Sequence, residues 1–315
     1  MKNTLLYIVT VLVWGSTWLA IEFQLGEVPV EVSLVYRFAI AALIMWVYCV
    51  SSGISLRFAR RDHFFIVLLA LGNFSTNYLF MYLAQGYLTS AMASIAFSTI
   101  LLMNIVNTRL FFGKKIAPRI YIGAIIGICG IATLFWDDLK DLDFSGQSAI
   151  GLGLVLVGTL IASLGNMTSV RNSNHGLNIF AVNAWGMLYG TIALIVYANI
   201  QGSEFIFSYQ TSYIASLLFL SVFGTVIAFG CYFVLLRDLG PEKATYLMVL
   251  FPIVAVCLSS VFEGFILNQN ILAGFGLVLL GNLIVLTTPD RLRKLLRKPL
   301  KKQTIEQSQH AELTE

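Results

Sequence analysis

The chain has 315 residues, of which 58% are hydrophobic and 11% are charged, and its mean hydropathy is +0.82. Because a typical soluble protein has about 25% charged residues, this composition excludes a water-soluble globular protein. The formal net charge of +4 comes from basic residues at the ends of apolar stretches, so we expect no nucleic-acid partner.

Apolar stretches of about 20 residues, long enough to cross a bilayer, follow one another along the whole chain. They predict an all-α integral membrane protein with ten transmembrane helices. The predicted helices span residues 4–22, 29–50, 63–84, 89–112, 119–136, 149–171, 177–199, 212–236, 241–263 and 269–288. The first stretch has no small-residue cleavage site, so we interpret it as a retained helix and not as a signal peptide.

Charges in the loops predict the orientation of the chain. Of the 20 Lys and Arg residues, 18 fall on one side of the predicted membrane, whereas the other side carries Lys140 among acidic residues. Since cytoplasmic loops are rich in Lys and Arg, both termini are predicted to be cytoplasmic. Residues 289–315 are predicted to form a basic and then disordered cytoplasmic tail.

The sequence also contains an internal repeat. An offset of 151 residues aligns predicted helices 3–5 with helices 8–10 without gaps and pairs Gly123 with Gly274 and Gly130 with Gly281. Because five helices, an odd number, separate the halves, the second half crosses the membrane in the opposite direction. Two inverted-topology five-helix repeats are typical of secondary transporters, in which they open a central site to alternate sides.

Four segments resemble, in order and spacing, the EamA family of the drug/metabolite transporter superfamily. They are Trp14-Gly15-Ser16-Thr17-Trp18, Arg37-Phe38, Leu88-Thr89-Ser90-Ala91 and Gly240-Pro241-Glu242-Lys243-Ala244. The resemblance implies two EamA-like repeats, residues 1–140 and 145–288, in a transporter of the bacterial inner membrane. It implies efflux of a small metabolite, amino-acid-like or otherwise amphipathic, with the solute and the lipid bilayer as partners. A homodimer is compatible with this interpretation.

Arg37 is the one ionisable residue well inside a predicted helix. It lies about eight residues from the outer end of helix 2, roughly 12 Å deep at 1.5 Å per residue. A charge at that depth is costly unless it is paired or hydrated. One hypothesis is that Arg37 binds a substrate carboxylate or phosphate, and the other is that it pairs with Glu22 or with helix-end carbonyls and extends outward.

Polar interruptions of two helices predict where a substrate cavity lies. Asn73 and Asn77 fall at i, i+4 in an interrupted part of helix 3, and the corresponding part of helix 8 contains Gly224 and Gly230. Paired interruptions of this kind indicate a transporter site, although Asn and Gly also serve in helix packing. The remaining candidate substrate-binding residues, for each of which interior packing is the alternative, are Trp14, Trp18, Asn166, Trp185 and Tyr189.

Other small residues are predicted to act in hinges and packing. These residues are Gly224, Gly230, Pro252, Gly123, Gly127, Gly274 and Gly281. Gly123 and Gly127 form a G-x-x-x-G pattern, which favours close helix contact. Pro252 has no counterpart in helix 4, where the offset leads to Leu101, so a symmetric proline hinge is not expected.

The sequence does not indicate an enzyme. It lacks a nucleophile paired with a base and a phosphate-binding loop, and its four cysteines have no metal-ligand spacing, so we expect no catalytic residue, metal or cofactor. Two other functions remain open: a lipid flippase- or scramblase-like carrier, which needs a lateral opening to lipid, and a non-transporting membrane receptor, which needs recognition loops.

Overall fold

The computed structural model describes residues 2–136, 146–239 and 247–286, and within these ranges the chain is helical without strands. This confirms the prediction of an all-α membrane protein. The helices are α1 (Lys2–Glu22), α2 (Val30–Ser51), α3 (Arg60–Asn73 and Thr76–Gln85), α4 (Ser90–Phe97 and Ile100–Phe112), α5 (Pro118–Leu134), α6 (Gln147–Asn174), α7 (Ile179–Gln201), α8 (Thr211–Leu218, Phe219–Ile227 and Ala228–Leu239), α9 (Leu247–Phe262) and α10 (Gln269–Leu286).

Length and composition suit most of these helices to a bilayer. Eight are at least 18 residues long and apolar enough to cross it, and α5 and α9 are shorter apolar helices. Large apolar side chains of the helices such as Leu43 and Leu110 are exposed on the outer surface of the bundle. A helix bundle with an apolar outer surface is stable when lipid covers that surface. The acidic stretch around Lys140 and the basic tail lie outside the described residues.

Three helices depart from a regular α-helix. Helix α3 is interrupted at Phe74 and Ser75, within the segment that the sequence marks as interrupted. Helix α8 contains a π-helical segment, Phe219–Ile227, in which Thr225 Oγ1 donates to Leu220 O, five residues earlier, at 2.8 Å. The extra residue in a π turn shifts the face that the following side chains share.

Helix α4 lies where the sequence predicts a helix over residues 89–112, but it has a two-residue break, because it stops at Phe97 and resumes at Ile100. The hydroxyls of Ser98 and Thr99 donate to Ile95 O and Ala96 O at 2.6 and 2.7 Å. Ser and Thr side chains that bond to a preceding carbonyl in this way compete with the helix ladder and weaken it.

Helices α5 and α10 approach each other through reciprocal glycine contacts. A Cβ atom on Gly123 would lie 2.6 Å from Gly281 O, and one on Gly130 would lie 2.8 Å from Gly274 O. The reverse contacts, from Gly281 to Gly123 O and from Gly274 to Gly130 O, would both be 2.6 Å. The offset of 151 residues relates Gly123 to Gly274 and Gly130 to Gly281, so it converts the first pair of glycines into the second. A two-fold relation between the helices requires this exchange.

Other helix contacts pair in the same manner. Helix α1 packs on α8 and α9, whereas α6 packs on α3 and α4, and α2 packs on α7. The offset relates α1 to α6, α3 to α8, α4 to α9 and α2 to α7, so each contact has a counterpart in the other half. Among the described residues, buried apolar side chains form two large clusters, one around α4, α9 and α10 and one around α2, α3 and α7, and two small clusters.

Candidate functional site

Arg37 is the centre of a buried polar site between α2, α3 and α8. Its side chain is 1% exposed. Its terminal nitrogens donate to two hydroxyls, Nη1 to Tyr82 Oη at 3.1 Å and Nη2 to Thr225 Oγ1 at 3.4 Å. The ring centroid of Tyr78 lies 4.6 Å from Arg37 Cζ and that of Phe38 lies 5.4 Å away. The Nε hydrogen of Arg37 has no hydrogen-bond partner among the described residues.

The guanidinium has aromatic and hydroxyl neighbours instead of a carboxylate. Within the described part of the chain, no Asp or Glu oxygen lies within 4 Å of it, and Glu22 is not its partner. Near-complete burial also argues against a side chain that extends to the outer surface. Insertion scales put the cost of a charge at a helix centre at about 2.5–3.5 kcal/mol, and neutral hydroxyls and rings offset only part of that cost. The described neighbours of Arg37 therefore compensate its charge only in part.

Local helix geometry brings the two hydroxyls to Arg37. Tyr78 and Tyr82 are i, i+4 neighbours in the second segment of α3, which starts after the interruption at Phe74 and Ser75. Thr225 lies in the π segment of α8. The sequence candidates did not include Tyr78, Tyr82 or Thr225. The i, i+4 tyrosines directly after the Asn-rich interruption are the signal that could have identified two of them.

A row of aromatic rings continues from Arg37 through the bundle. Tyr78 contacts Phe38 with centroids 5.0 Å apart, Phe38 contacts Phe74 at 5.9 Å, and Phe74 contacts Phe229 at 6.2 Å. Trp14 then contacts Phe229 at 5.4 Å and Tyr232 at 5.2 Å. We call these six rings the aromatic row. It joins α1, α2, α3 and α8, and it gives the guanidinium an apolar wall on one side.

Trp14 thus belongs to the aromatic row, but Trp18 lies in a different environment. Trp18 is buried in the core of α4, α9 and α10, with its ring 5.4 Å from Phe97 and 6.3 Å from Phe251. The main-chain oxygen of Trp18 accepts a hydrogen bond from Gln85 Nε2 at 2.9 Å. Trp18 therefore packs between helices and does not contact the Arg37 site.

Asn73 and Asn166 contact each other in a chain of amides across α3, α6 and α4. In either orientation of the Asn73 amide, one of its terminal atoms lies 3.1 Å from Asn166 Oδ1. Asn166 Nδ2 donates to Asn104 Oδ1 at 3.2 Å. Because α3 breaks after Asn73, Asn73 and Asn77 do not share one continuous helical face as the spacing suggests. Asn77 is buried, and its Oδ1 has no partner among the described residues.

Trp185 and Tyr189 form a separate aromatic cluster at the other end of α2. Trp185 Nε1 donates to Leu56 O at 2.8 Å, and Tyr189 Oη lies 2.9 Å from His63 Nδ1. The Trp185 ring also contacts Trp46 and His63, both with centroids 4.8 Å apart. Trp46 is nine residues beyond Arg37, about 14 Å along the helix axis. The structure therefore does not bring Trp185 and Tyr189 to Arg37.

The remaining glycines and Pro252 lie in helix contacts or in helix interiors. A Cβ atom on Gly224 would lie 2.7 Å from Thr17 Cγ2, whereas one on Gly230 would meet no atom within 4 Å. Gly127 meets Gly281 in the contact of α5 with α10. Pro252 is buried inside α9. The described residues contain no group of three His, Cys, Asp or Glu side chains placed to hold a metal ion.

Polar contacts join the chain after α1 to the first turns of α8 and α2. Gln24 Nε2 donates to Tyr213 O at 3.0 Å and to Ser216 Oγ at 2.6 Å, and the Tyr213 hydroxyl lies 3.0 Å from Ser33 Oγ. A shallow depression of about 330 Å³ lies outside this contact, between α1 and α8, and its lining does not include Arg37. Gln24 and Tyr213 thus link the chain after α1 to α8 and to the start of α2.

Comparison with known proteins gives a consistent result. The model of the EamA-like transporter family matches residues 1–136 and again residues 149–287. An uncharacterized transporter of Archaeoglobus fulgidus is 24% identical over 90% of this chain and 99% of its own length. The uncharacterized inner membrane transporter YedA of Escherichia coli strain K12 is 25% identical over 87% of each chain. A crystal structure with 17% sequence identity superposes with a TM-score of 0.65, covering 90% of this chain and 96% of the other, which shows the same fold.

Proposed function

Because this chain belongs to the EamA-like transporter family, we propose that it is a secondary transporter that exports a small amphipathic metabolite by alternating access. Residues 1–140 and 145–288 are the two inverted repeats in this proposal. The substrate binds at Arg37, between α2 and α3 of the first repeat and α8 of the second. The protein lies in the inner membrane of a bacterium with both termini in the cytoplasm, as the loop charges and the similarity to the inner membrane transporter YedA support.

The reciprocal contact between α5 and α10 is the observation that carries this proposal. Gly123 meets Gly281 and Gly130 meets Gly274, and the repeat offset exchanges the two pairs. Inverted repeats related by an axis in the membrane plane can exchange conformations, and this exchange exposes a central site first to one side and then to the other. Helices α5 and α10 would then form the fixed contact about which the other helices move.

Release of metabolites from proteoliposomes tests the proposal even though the substrate is not identified. Vesicles that contain the full chain are loaded with a small-molecule extract of bacterial cells, and the solutes that leave are identified by mass spectrometry. We expect at least one amphipathic metabolite to leave faster than from protein-free vesicles. If every solute leaves both kinds of vesicle at the same rate, the proposal is wrong.

A further inference from the structure

We propose that the transported solute is a monocarboxylic acid with an apolar, preferably aromatic, body and without an amino group. This inference rests on the proposed function and names its substrate class. The carboxylate would bind the Arg37 guanidinium between Tyr82 and Thr225, and the apolar body would lie along the aromatic row.

The charge of the site argues for a single negative charge on the solute. Arg37 is 1% exposed, has no carboxylate partner among the described residues, and keeps an unpartnered Nε hydrogen. A carboxylate matches the planar, forked donors of a guanidinium and neutralises its one charge. A phosphate monoester carries about −1.5 to −2 at neutral pH, and the nearby hydroxyls of Tyr82 and Thr225 are neutral, so a dianion would leave excess negative charge buried.

Among the described residues no acid lies beside Arg37, which argues against an amino acid. An ammonium group needs a carboxylate or several carbonyls when it leaves water. The described carboxylates closest to the bundle interior are Glu22 and Glu263, and both lie at helix ends. Glu263 is also engaged, because its carboxylate accepts from Ser90 N at 3.1 Å and Ser90 Oγ at 2.5 Å. One face of the Tyr78 ring already lies against Arg37.

In this proposal the aromatic row meets the apolar body once the helices around Arg37 separate. In the structure Phe38 and Phe74 are 0% and 2% exposed and contact each other, and Trp14 and Tyr78 are half-buried. The row is continuous, with neighbouring centroids 5.0–6.2 Å apart, and begins at the ring that stacks on the guanidinium. Pockets for small molecules combine aromatic walls with a few fixed polar groups in this way.

Thermal unfolding of the full chain in nanodiscs with a matched set of probes tests the proposal. Phenylacetate has the predicted carboxylate and aromatic body. Five comparison probes differ from it in the polar group or in the body: phenylacetamide, phenethylamine, phenylalanine, phenyl phosphate and acetate. We expect phenylacetate to raise the melting temperature by about 2 °C or more and to do so more than any other probe, because a ligand that binds the folded state stabilises it. Phenylacetamide and phenethylamine should give no shift.

Two arginine variants locate the response. Arg37→Gln should abolish the shift with phenylacetate, and Arg61→Gln, which removes an exposed arginine from α3, should keep it. The apparent dissociation constant should rise at least about tenfold in Arg37→Gln, the factor that 1.4 kcal/mol of lost binding free energy produces. If Arg37→Gln does not fold, Arg37→Lys replaces it and should weaken phenylacetate binding, because Lys lacks the forked donors.

Several results would overturn the proposal. The first is a melting-temperature shift with phenylalanine, phenyl phosphate, phenylacetamide or acetate that is as large as the shift with phenylacetate. The second is a phenylacetate shift that persists in Arg37→Gln. The third is no phenylacetate shift at about 10 mM, which is above the usual range of enzyme KM values. Each of these results leaves the metabolite-release experiment unaffected. Transport of a solute of another class would uphold the proposed function while this substrate class failed.

Discussion

The main-chain oxygen of Gly274 lies 2.8 Å from the position that a Cβ atom on Gly130 would occupy. This distance is shorter than a normal carbon–oxygen contact, so α5 and α10 can meet this closely only without side chains on these two residues. The same holds for Gly123 and Gly281. The contact joins the last helix of each half of the chain.

Alanine at Gly274 should therefore destabilise the bundle. The new Cβ would lie 2.5 Å from Leu134 N and 2.6 Å from Gly130 O, and overpacking of this kind costs typically about 1–3 kcal/mol. Gly276→Ala is the matched control in α10, since no atom lies within 4 Å of its Cβ position. Thermal unfolding in nanodiscs should give a lower melting temperature for Gly274→Ala alone. Equal melting temperatures for the two variants would contradict the packing account.

Arg37 should limit the stability of the unliganded protein. Replacement by Met removes a buried charge that has no carboxylate partner among the described residues, so the melting temperature of Arg37→Met should stay the same or rise. Arg171→Met is the control, because Arg171 donates to Asp62 at 2.8 Å and lies over the Phe65 ring, and it should lower the melting temperature. A loss in Arg37→Met as large as in Arg171→Met would indicate a structural role for Arg37.

Asn166 should contribute more to stability than Asn104. Asn166 contacts both Asn73 and Asn104, whereas Asn104 ends the amide chain. Side-chain hydrogen bonds between membrane helices contribute about 0.6 kcal/mol each on average, so with Asn73 Nδ2 donating to Asn166 Oδ1 Asn166→Ala should cost about twice as much as Asn104→Ala. Urea or thermal unfolding of both variants and of the double variant measures this. If the two single variants lose equal stability, Asn166 does not link two amides.

The Ser90–Glu263 contact should behave as a coupled pair. Hydrogen bonds to a charged group contribute about 1.5–3 kcal/mol, and Glu263 also accepts from the N-terminal amide of α4, where a negative charge is favourable. In a double-mutant cycle with Ser90→Ala and Glu263→Ala, the two losses should add to more than the loss of the double variant. Strict additivity of the melting-temperature losses would show that the two side chains do not interact.

The sequence predicted the helices well because membrane-length apolar stretches are a strong and local signal. The depth of Arg37 follows from the same signal. Its partners Tyr82 and Thr225, 45 and 188 residues away, depend on how helices pack, which periodicity does not encode.

Two sequence predictions illustrate the limit of local spacing. Trp185 and Tyr189 do share a face, but that face contacts His63 and Leu56 instead of Arg37. At the break in α4 the Ser98 and Thr99 hydroxyls bond to preceding carbonyls, but Thr17 and Thr168 make the same kind of bond inside continuous helices. Spacing identifies which residues face the same way, and tertiary packing decides what they face.

The topology can be examined with single cysteines in a variant whose four native cysteines are replaced. Tyr209, in the loop before α8, is 84% exposed, and Ser55, in the loop before α3, is also exposed. The predicted orientation puts Tyr209 outside and Ser55 in the cytoplasm. A membrane-impermeant thiol reagent added to intact cells should label Tyr209→Cys and not Ser55→Cys. The opposite pattern would reverse the orientation.

Access to Thr225 from both sides of the membrane is the most direct test of alternating access at the Arg37 site. Thr225 is 0% exposed and contacts Arg37. With Thr225→Cys in the cysteine-free background, an impermeant thiol reagent is applied to the outer face of right-side-out vesicles and to the inner face of inverted vesicles. Thr159→Cys, equally buried in α6 away from Arg37, is the control. Alternating access at the Arg37 site predicts labelling of Thr225→Cys from both faces and of Thr159→Cys from neither face. Labelling of Thr225→Cys from one face only, or from neither face, would contradict alternating access at this site.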